Sequence, residues 1–404
     1  MAAGYTAQAA GIGIFSAFLR YRHIAPRTIF ISTVIAYTVF LFPAVLSTSL
    51  VGTVIFGLLI SLLCGAIAGY YLYELTETAG NDRRVVSFGI GYGLATVAAW
   101  LLSLIDGGSL YYGKGVIFIC LALALLSVLG TFIKGSVEES EQKPQTSNQP
   151  LIRLRTLIIL SGGVVLLFSL LNNIGFSFST SELQGGFRVE SSRVFYGVGL
   201  ITAGFVTDKS RKYGAVCALA ALVIPFIVLA LRGEPVSYTV FWAIGYLAFG
   251  FYSVYRIILF SDIAKNRRLL YLSGFGLLIG RIGDALGSEL SVFLEGNEKI
   301  KVILAAMLFM GSVFLFIKLF QSLYMPTARQ KSEREIFHDF SAEHDLSARE
   351  REVLRLLLEN KTNKEISEVI CVSESTVKFH IHNLLSKTGC KNRTDLIDSY
   401  NGKR

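Results

Sequence analysis

The sequence predicts an all-α protein in two parts, a polytopic bundle of membrane helices followed by a small helical domain at the carboxyl end. Hydrophobic residues make up 52% of its 404 residues, and the mean hydropathy is +0.55; both values are typical of membrane proteins. Apolar runs of membrane length recur as far as residue 320, whereas residues 342–404 are polar and carry repeated helix-start signals.

Ten apolar runs are long enough to cross a hydrocarbon core of about 30 Å, which takes roughly 20 helical residues. They lie at 28–48, 50–73, 85–105, 112–133, 156–176, 191–207, 213–231, 238–260, 269–292 and 300–320. A shorter run at 5–19 is a weaker candidate, so we expect 10–11 membrane helices.

Lys and Arg are concentrated in every second connection between these runs. The basic connections are 20–27, 81–84, 134–155, 208–212 and 265–268. Because positively charged loops stay in the cytoplasm, we expect a multi-pass protein of the inner membrane whose basic connections are cytoplasmic. The same alternation puts the chain after residue 320 in the cytoplasm.

The long polar connection at 134–155 divides the bundle into a first part, 1–133, and a second part, 156–320. Two helical halves joined by such a loop are typical of transporters built from internal repeats. The segment GFVTDKSRK resembles the loop between the second and third helices of a half in the major facilitator superfamily. The matching positions are Gly204, Asp208, Lys209, Arg211 and Lys212.

That resemblance implies a truncated twelve-helix plan and a cluster of Asp and basic residues that locks two helices together. The chain departs from the family pattern, because no Gly precedes the basic pair and the first-half loop RYRHIAPR has neither Gly nor Asp. One helix is also missing from the first half. The alternative for GFVTDKSRK is a short basic turn that topology alone requires.

The segment 342–404 carries four helix-start signals after a charged linker at 321–341. Two of them are capping boxes, in which a Ser or Thr precedes a Glu by three residues. The signals are Ser347 with Glu350, Thr362 with Glu365, Ser373, and Asn392. Four short amphipathic helices are therefore predicted, and the second and third form a helix-turn-helix joined at 371–372.

The segments LSAREREVL, NKEIS, VSESTVKFHIHNLLSKTG and NRTDL resemble, in this order, the LuxR-type DNA-binding domain. The resemblance implies that the third helix enters the major groove of double-stranded DNA and that the protein binds as a homodimer. Charge agrees with this, since residues 375–404 contain 6 Lys or Arg against 2 Asp or Glu, whereas 327–374 contain 8 against 11.

By the same resemblance, Lys378, Phe379 and His382 would reach base edges, and Ser375 shares their exposed face. The residues expected to position the duplex through its phosphates are Thr376, Lys387, Asn392, Arg393 and Thr394. The alternative for each is a solvated helix face, and for Phe379 also packing within a dimer.

Ionisable side chains deep in apolar runs usually face a cavity or a partner, because they are costly to insert. Candidates for a polar ligand site are Asn172, Asn173, Arg256, Arg281, Asp284 and Glu289. Arg281 and Asp284 are three residues apart and can pair on one helix face, so a purely structural ion pair is the alternative. For Arg256 we expect snorkelling toward the cytoplasmic end of its helix.

Neither a catalytic constellation nor a metal or cofactor motif is found, so an enzyme is not expected. We expect a membrane-embedded one-component transcription regulator that senses a small molecule through the bundle. The first alternative is a secondary transporter with an autoregulatory DNA-binding tail, and the second is a membrane tether for the DNA-binding domain. The residues do not specify the ligand.

Overall fold

The computed structural model describes residues 1–21, 25–80, 83–104, 114–131, 154–176, 191–231, 234–325 and 333–401. The described residues form helices and short connections and contain no strand, which confirms the predicted all-α class. The chain divides into two compact units, Met1–Met325 and Pro326–Arg404.

The first unit has twelve α-helices in its described part, numbered here in chain order. They are α1 (Ala2–Tyr21), α2 (Pro26–Leu46), α3 (Leu50–Thr78), α4 (Arg84–Leu104), α5 (Lys114–Gly130), α6 (Leu154–Phe176), α7 (Ser192–Lys209), α8 (Arg211–Ala221), α9 (Ile224–Ala230), α10 (Pro235–Asn266), α11 (Phe275–Phe293) and α12 (Glu298–Tyr324).

Eight helical stretches among the described residues are long and apolar enough to cross a membrane. They include α1, which contains the short run at 5–19. The other three predicted runs form α5, α7 and α11, helices of 17, 18 and 19 residues. Each predicted run therefore corresponds to a helical stretch, and α11 carries Arg281, Asp284 and Glu289.

The run predicted at 213–231 is not one continuous helix. It breaks at residues 222–223, between α8 and α9. Pro225 explains the break, because proline has no N–H to donate and its ring clashes with the carbonyl four residues earlier. The run predicted at 269–292 also begins later than expected, since Leu270–Leu272 forms a 3₁₀ turn before α11.

Helix α11 packs closely on its neighbours because it presents glycines to them. A Cβ built on Gly276 would lie against the backbone carbonyl of Arg256 in α10, and one built on Gly283 would lie 2.6 Å from the Cβ of Ser169 in α6. These close approaches bring the polar side chains of α6, α10 and α11 together.

The second unit contains the four predicted helices, α14 (Ala348–Leu358), α15 (Asn363–Val369), α16 (Glu374–Thr388) and α17 (Arg393–Asn401), and a further helix, α13 (Glu333–Glu343). The linker predicted at 321–341 ends inside α13. This helix belongs to the domain because Ile336 and Phe340 are buried in the same core as Leu354, Val377 and Leu396.

Candidate nucleic-acid interface and buried charge clusters

Side-chain caps start the helices of the carboxyl-terminal unit. The Ser347 hydroxyl accepts from the N–H of Glu350 at 3.3 Å, and the Glu350 carboxylate accepts from the N–H of Ser347 at 2.7 Å. Thr362 and Glu365 repeat this reciprocal arrangement, and the Ser373 hydroxyl caps α16. Both predicted capping boxes are therefore confirmed.

The two faces of α16 differ sharply. Val377 and Leu384 are fully buried in the core, whereas Ser375, Lys378, Phe379 and His382 are exposed. Phe379 is 59% exposed. The base-reading residues expected from the sequence thus share one solvent-facing surface.

Several residues expected to contact phosphates also make bonds within the domain. Lys387 Nζ donates to the Glu350 carboxylate and to the carbonyl of Asp345, both at 2.8 Å. Asn392 Oδ1 accepts from the N–H of Asp395 at 2.9 Å. These bonds stabilise the start of α14 and of α17.

Two further phosphate candidates have partners inside the domain. Arg393 Nη2 donates to the carbonyl of Leu357 at 3.4 Å, and the Thr376 hydroxyl lies 2.8 Å from that of Ser373. Thr394 is exposed. The phosphate candidates lie on or beside α16 and α17, as the domain resemblance requires.

At one end of the membrane unit, four charged residues form what we call the end cluster: Arg84, Asp208, Arg211 and Asp262. Asp262 accepts from Arg84 at 2.8 Å and from Arg211 at 2.9 Å, and Asp208 accepts from Arg211 at 2.8 Å. Asp208 also accepts from the N–H of Val86 at 2.7 Å, at the start of α4. The cluster therefore joins α4, α7, α8 and α10 through GFVTDKSRK.

Other contacts bring further basic connections to the end cluster's end of the bundle. Lys265 Nζ donates to the carbonyl of Ala79 at 2.5 Å, and the guanidinium of Arg20 lies 5.9 Å from the centre of the Tyr271 ring. Tyr324, the last residue of α12, packs against the core that contains Phe260 and Ile263, which flank Asp262 in α10. The helix that leads to the second unit thus ends beside the basic connections.

A second cluster, which we call the arginine pair site, lies midway along α11. Asp284 Oδ2 accepts from Arg256 at 3.2 Å and from Arg281 at 3.3 Å. The expectation that Arg256 snorkels is wrong, because its side chain is only 4% exposed. Helix α10 continues to Asn266, so Arg256 lies nearly three turns before its end.

Uncharged groups complete the arginine pair site. Arg256 also donates to the Tyr252 hydroxyl at 3.0 Å, and that hydroxyl is hydrogen-bonded to Ser169. Tyr252 and Ser169 were not predicted as site residues, since neither is charged and they lie on two different helices.

The other ligand candidates lie at varying distance from the pair. Asn172 is buried, one turn beyond Ser169 on α6. Asn173 packs against Gly287 of α11, and Glu289 is exposed. Among the described residues, no three His, Cys, Asp or Glu side chains are grouped to hold a metal ion.

Residues 344–400 match the profile of the family described as "Bacterial regulatory proteins, luxR family". The spore germination protein GerE of Bacillus subtilis (strain 168) is 42% identical over 59 residues, which are 15% of this chain and 80% of GerE. The transcriptional regulatory protein LiaR of the same strain is 42% identical over 66 residues, 16% of this chain and 29% of LiaR. The chain spans less than a third of LiaR.

A solved structure is similar to the larger part of the chain. The crystal structure of a point mutant of the nucleoside transporter NupG covers 79% of this chain and 91% of its own, with a TM-score of 0.49 and 16% sequence identity.

Proposed function

The chain belongs, through its carboxyl-terminal domain, to the luxR family of bacterial regulatory proteins, and on that basis we propose that it is a membrane-embedded one-component transcription regulator. The observation that carries this proposal is the exposed face of α16, on which Lys378, Phe379 and His382 lie together, in a chain whose described residues include eight membrane-length helical stretches. One polypeptide then holds both the sensor and the DNA reader.

In this proposal α16 lies in the major groove of double-stranded DNA. The Lys378 ammonium donates to guanine O6 or N7, and the Phe379 ring contacts a thymine methyl. Ser375 and His382 meet the neighbouring base edges. Contacts to phosphates come from Thr376, Lys387, Asn392, Arg393 and Thr394, which set the register of the domain on the duplex.

The proposal requires the carboxyl-terminal domain to be cytoplasmic, in a protein of the inner membrane. Two observations support this topology. The basic connections alternate along the chain, and contacts of Arg84, Arg211 and Lys265 bring three of these connections to one end of the bundle. The end of α12 packs near Asp262 of the same cluster, which supports an exit of the chain on the side of its basic loops.

We further propose that a small molecule binds in the bundle at the arginine pair site. Binding shifts the populations of bundle conformations and thereby changes how two carboxyl-terminal domains dimerise on DNA. A homodimer on two half-sites suits a domain of this family, since a single domain would reach only one half-site.

The test compares a strain that lacks the gene with a strain that carries Lys378→Ala. We expect the same transcripts to change in both strains, because Lys378 is exposed and its loss removes base reading without unfolding the domain. A footprint of the full chain on the promoters so identified should be lost in Lys378→Ala. Arg351→Ala is the matched control, since Arg351 lines a groove between α13, α14 and α17 that contains no residue of α16.

Three outcomes would contradict the proposal. A footprint that survives Lys378→Ala would remove that residue from base reading. If the deletion strain and the Lys378→Ala strain differ widely in their transcripts, the bundle has a function beyond gene control, such as transport. A reporter fused after residue 404 that is active only outside the cytoplasm would end the proposal altogether.

A further inference from the structure

Among the described residues, the arginine pair site has one positive charge more than its carboxylate balances. Arg256 and Arg281 both donate to the same Oδ2 atom of Asp284, at 3.2 and 3.3 Å. These three residues, two guanidiniums and one carboxylate, have a net charge of +1. In the low-dielectric interior of a membrane bundle, an uncompensated charge is costly and usually marks a functional site.

The end cluster differs from the arginine pair site in having two carboxylates for its two arginines. There, Arg84 and Arg211 meet Asp208 and Asp262, two cations and two anions, with every salt-bridge distance between 2.8 and 2.9 Å. Among the described residues, the two arginines of the arginine pair site share one carboxylate.

Two hydrogen-bond donors at the site also lack an acceptor among the described residues. The Nε atoms of Arg256 and Arg281 are buried and have no acceptor. A buried N–H of this kind costs about 1–3 kcal/mol unless it is satisfied, and a guanidinium is the side chain best shaped to grip a carboxylate through two parallel N–H groups. An anionic oxygen atom of a ligand would both balance the excess positive charge and accept from the unpaired N–H groups.

Aromatic rings line the α10 side of the site. The guanidinium of Arg256 lies 5.1 Å from the centre of the Tyr252 ring. Tyr252 stacks on Phe249 at 5.4 Å, and Phe249 stacks on Tyr196 at 4.9 Å. Tyr252 is fully buried, so these contacts fix the position of Arg256.

We propose that the arginine pair site binds a small monovalent organic carboxylate, whose charge neutralises the second arginine. The ligand should carry a single negative charge, because a dianion such as phosphate would change the net charge of the site from +1 to −1. This deepens the proposed function by naming the class of molecule that the bundle senses, and it rests on that function.

The test measures ligand-induced stabilisation of the full chain in detergent micelles, by its thermal unfolding midpoint. The probes are sodium acetate, benzoate and octanoate, each compared with its neutral primary amide and with sodium chloride at equal ionic strength. Because bound ligand stabilises the folded state, we expect at least one carboxylate to raise the midpoint while its amide does not.

Two variants change the charge in opposite directions. Arg281→Gln leaves Arg256 and Asp284 as a neutral pair, so the affinity for the active carboxylate should fall about tenfold or more. Asp284→Asn raises the excess to +2 and should increase that affinity. Arg20→Gln is the matched control, because it removes an arginine from the end of α1, outside the site, and should leave the affinity unchanged.

The proposal is overturned if none of the three carboxylates exceeds its amide, or if Arg281→Gln binds the active carboxylate as tightly as the natural protein. Neither variant needs to be interpreted if it fails to fold, since the comparison of carboxylate with amide uses the natural chain. Binding is read without DNA, so a carboxylate that binds but leaves every promoter unaffected contradicts the proposed regulator and not the carboxylate site.

Discussion

The ammonium of Lys387, at the end of α16, lies 2.8 Å from the carboxylate of Glu350, at the start of α14. The same carboxylate oxygen accepts from the N–H of Ser347 at 2.7 Å. Burial by itself would raise the pKa of Glu350, but the bonds from Lys387 and Ser347 outweigh it and lower that pKa below the usual 4.5. One carboxylate thus caps one helix and anchors the end of the helix that we assign to DNA.

The pH dependence of stability follows from this lowered pKa. A carboxyl whose pKa is lower in the folded state stabilises that state at pH values above its unfolded pKa, near 4.5, and this stabilisation is lost as the pH falls through the folded value. We expect acidification below about pH 4.5 to destabilise residues 326–404, a unit with its own core, less in Glu350→Gln than in the natural sequence. Urea midpoints measured across this range test it.

Glu352→Gln is the matched control for that titration. Glu352 pairs with Arg349 at 2.7 Å, but both side chains are about half exposed, and exposed pairs contribute little to stability. The Glu352 variant should follow the natural curve. If Glu350→Gln follows it as well, the carboxylate of Glu350 does not stabilise the domain.

Lys387 has a structural bond and a proposed phosphate contact, and salt dependence separates the two. Lys387→Met should lower the free energy of unfolding by about 1–2 kcal/mol, because it removes the bonds to the Glu350 carboxylate and to the carbonyl of Asp345. If Lys387 also meets a phosphate, the slope of log affinity for DNA against log salt should decrease by about 1. A slope equal to that of the natural protein would assign Lys387 to the fold alone.

Local signals made much of the carboxyl-terminal unit predictable. A capping box is read from two residues three apart, so Ser347 with Glu350 and Thr362 with Glu365 could be placed from sequence. Helix α13 was assigned to the linker and not to the domain because its apolar residues are sparse. Ile336 and Phe340 are recognised as core only when Tyr400, some 60 positions later, is seen to pack on Phe340 at 5.4 Å.

In the membrane unit as well, features set by neighbouring residues could be predicted and contacts between distant helices could not. Runs of apolar residues predicted where helices lie, and the pairing of Arg281 with Asp284 followed from their spacing on one helix. Burial of Arg256 could not be predicted, because it depends on Gly276 and Gly280, which bring α11 close to α10. Hydropathy reports the length of an apolar run and carries no information on which helix will lie beside it.

The end cluster should hold α4 and α10 together, and Asp262→Asn tests this. Arg84, one of its partners, is fully buried, and removing the carboxylate from a buried ion pair costs about 3 kcal/mol. We expect a lower thermal midpoint for the full chain and faster hydrogen exchange at the start of α4. Glu295→Gln, which alters an exposed carboxylate, is the control. If hydrogen exchange is unchanged in Asp262→Asn, the cluster does not hold these helices together. GFVTDKSRK is then only a short basic turn that topology requires.

The approach of α11 to α10 can be tested at a single glycine. An alanine Cβ at Gly276 would lie against the carbonyl oxygen of Arg256, and because that atom is backbone, one of the two helices must shift. Gly276→Ala should therefore lower the thermal midpoint of the full chain, with a cost of about 1–3 kcal/mol. The same shift would move Arg256 away from Asp284, so binding of the active carboxylate should weaken in this variant as well.

Gly57→Ala provides the matched substitution on another helix. Nothing lies within 4 Å of a Cβ built there, and alanine favours a helix over glycine by up to about 1 kcal/mol, so this variant should be neutral or slightly more stable. A Gly276→Ala protein as stable as the Gly57→Ala protein would mean that α11 is not held against α10. In that case the contacts of the arginine pair would not be set by the packing of these two helices, and the burial of Arg256 would need another cause.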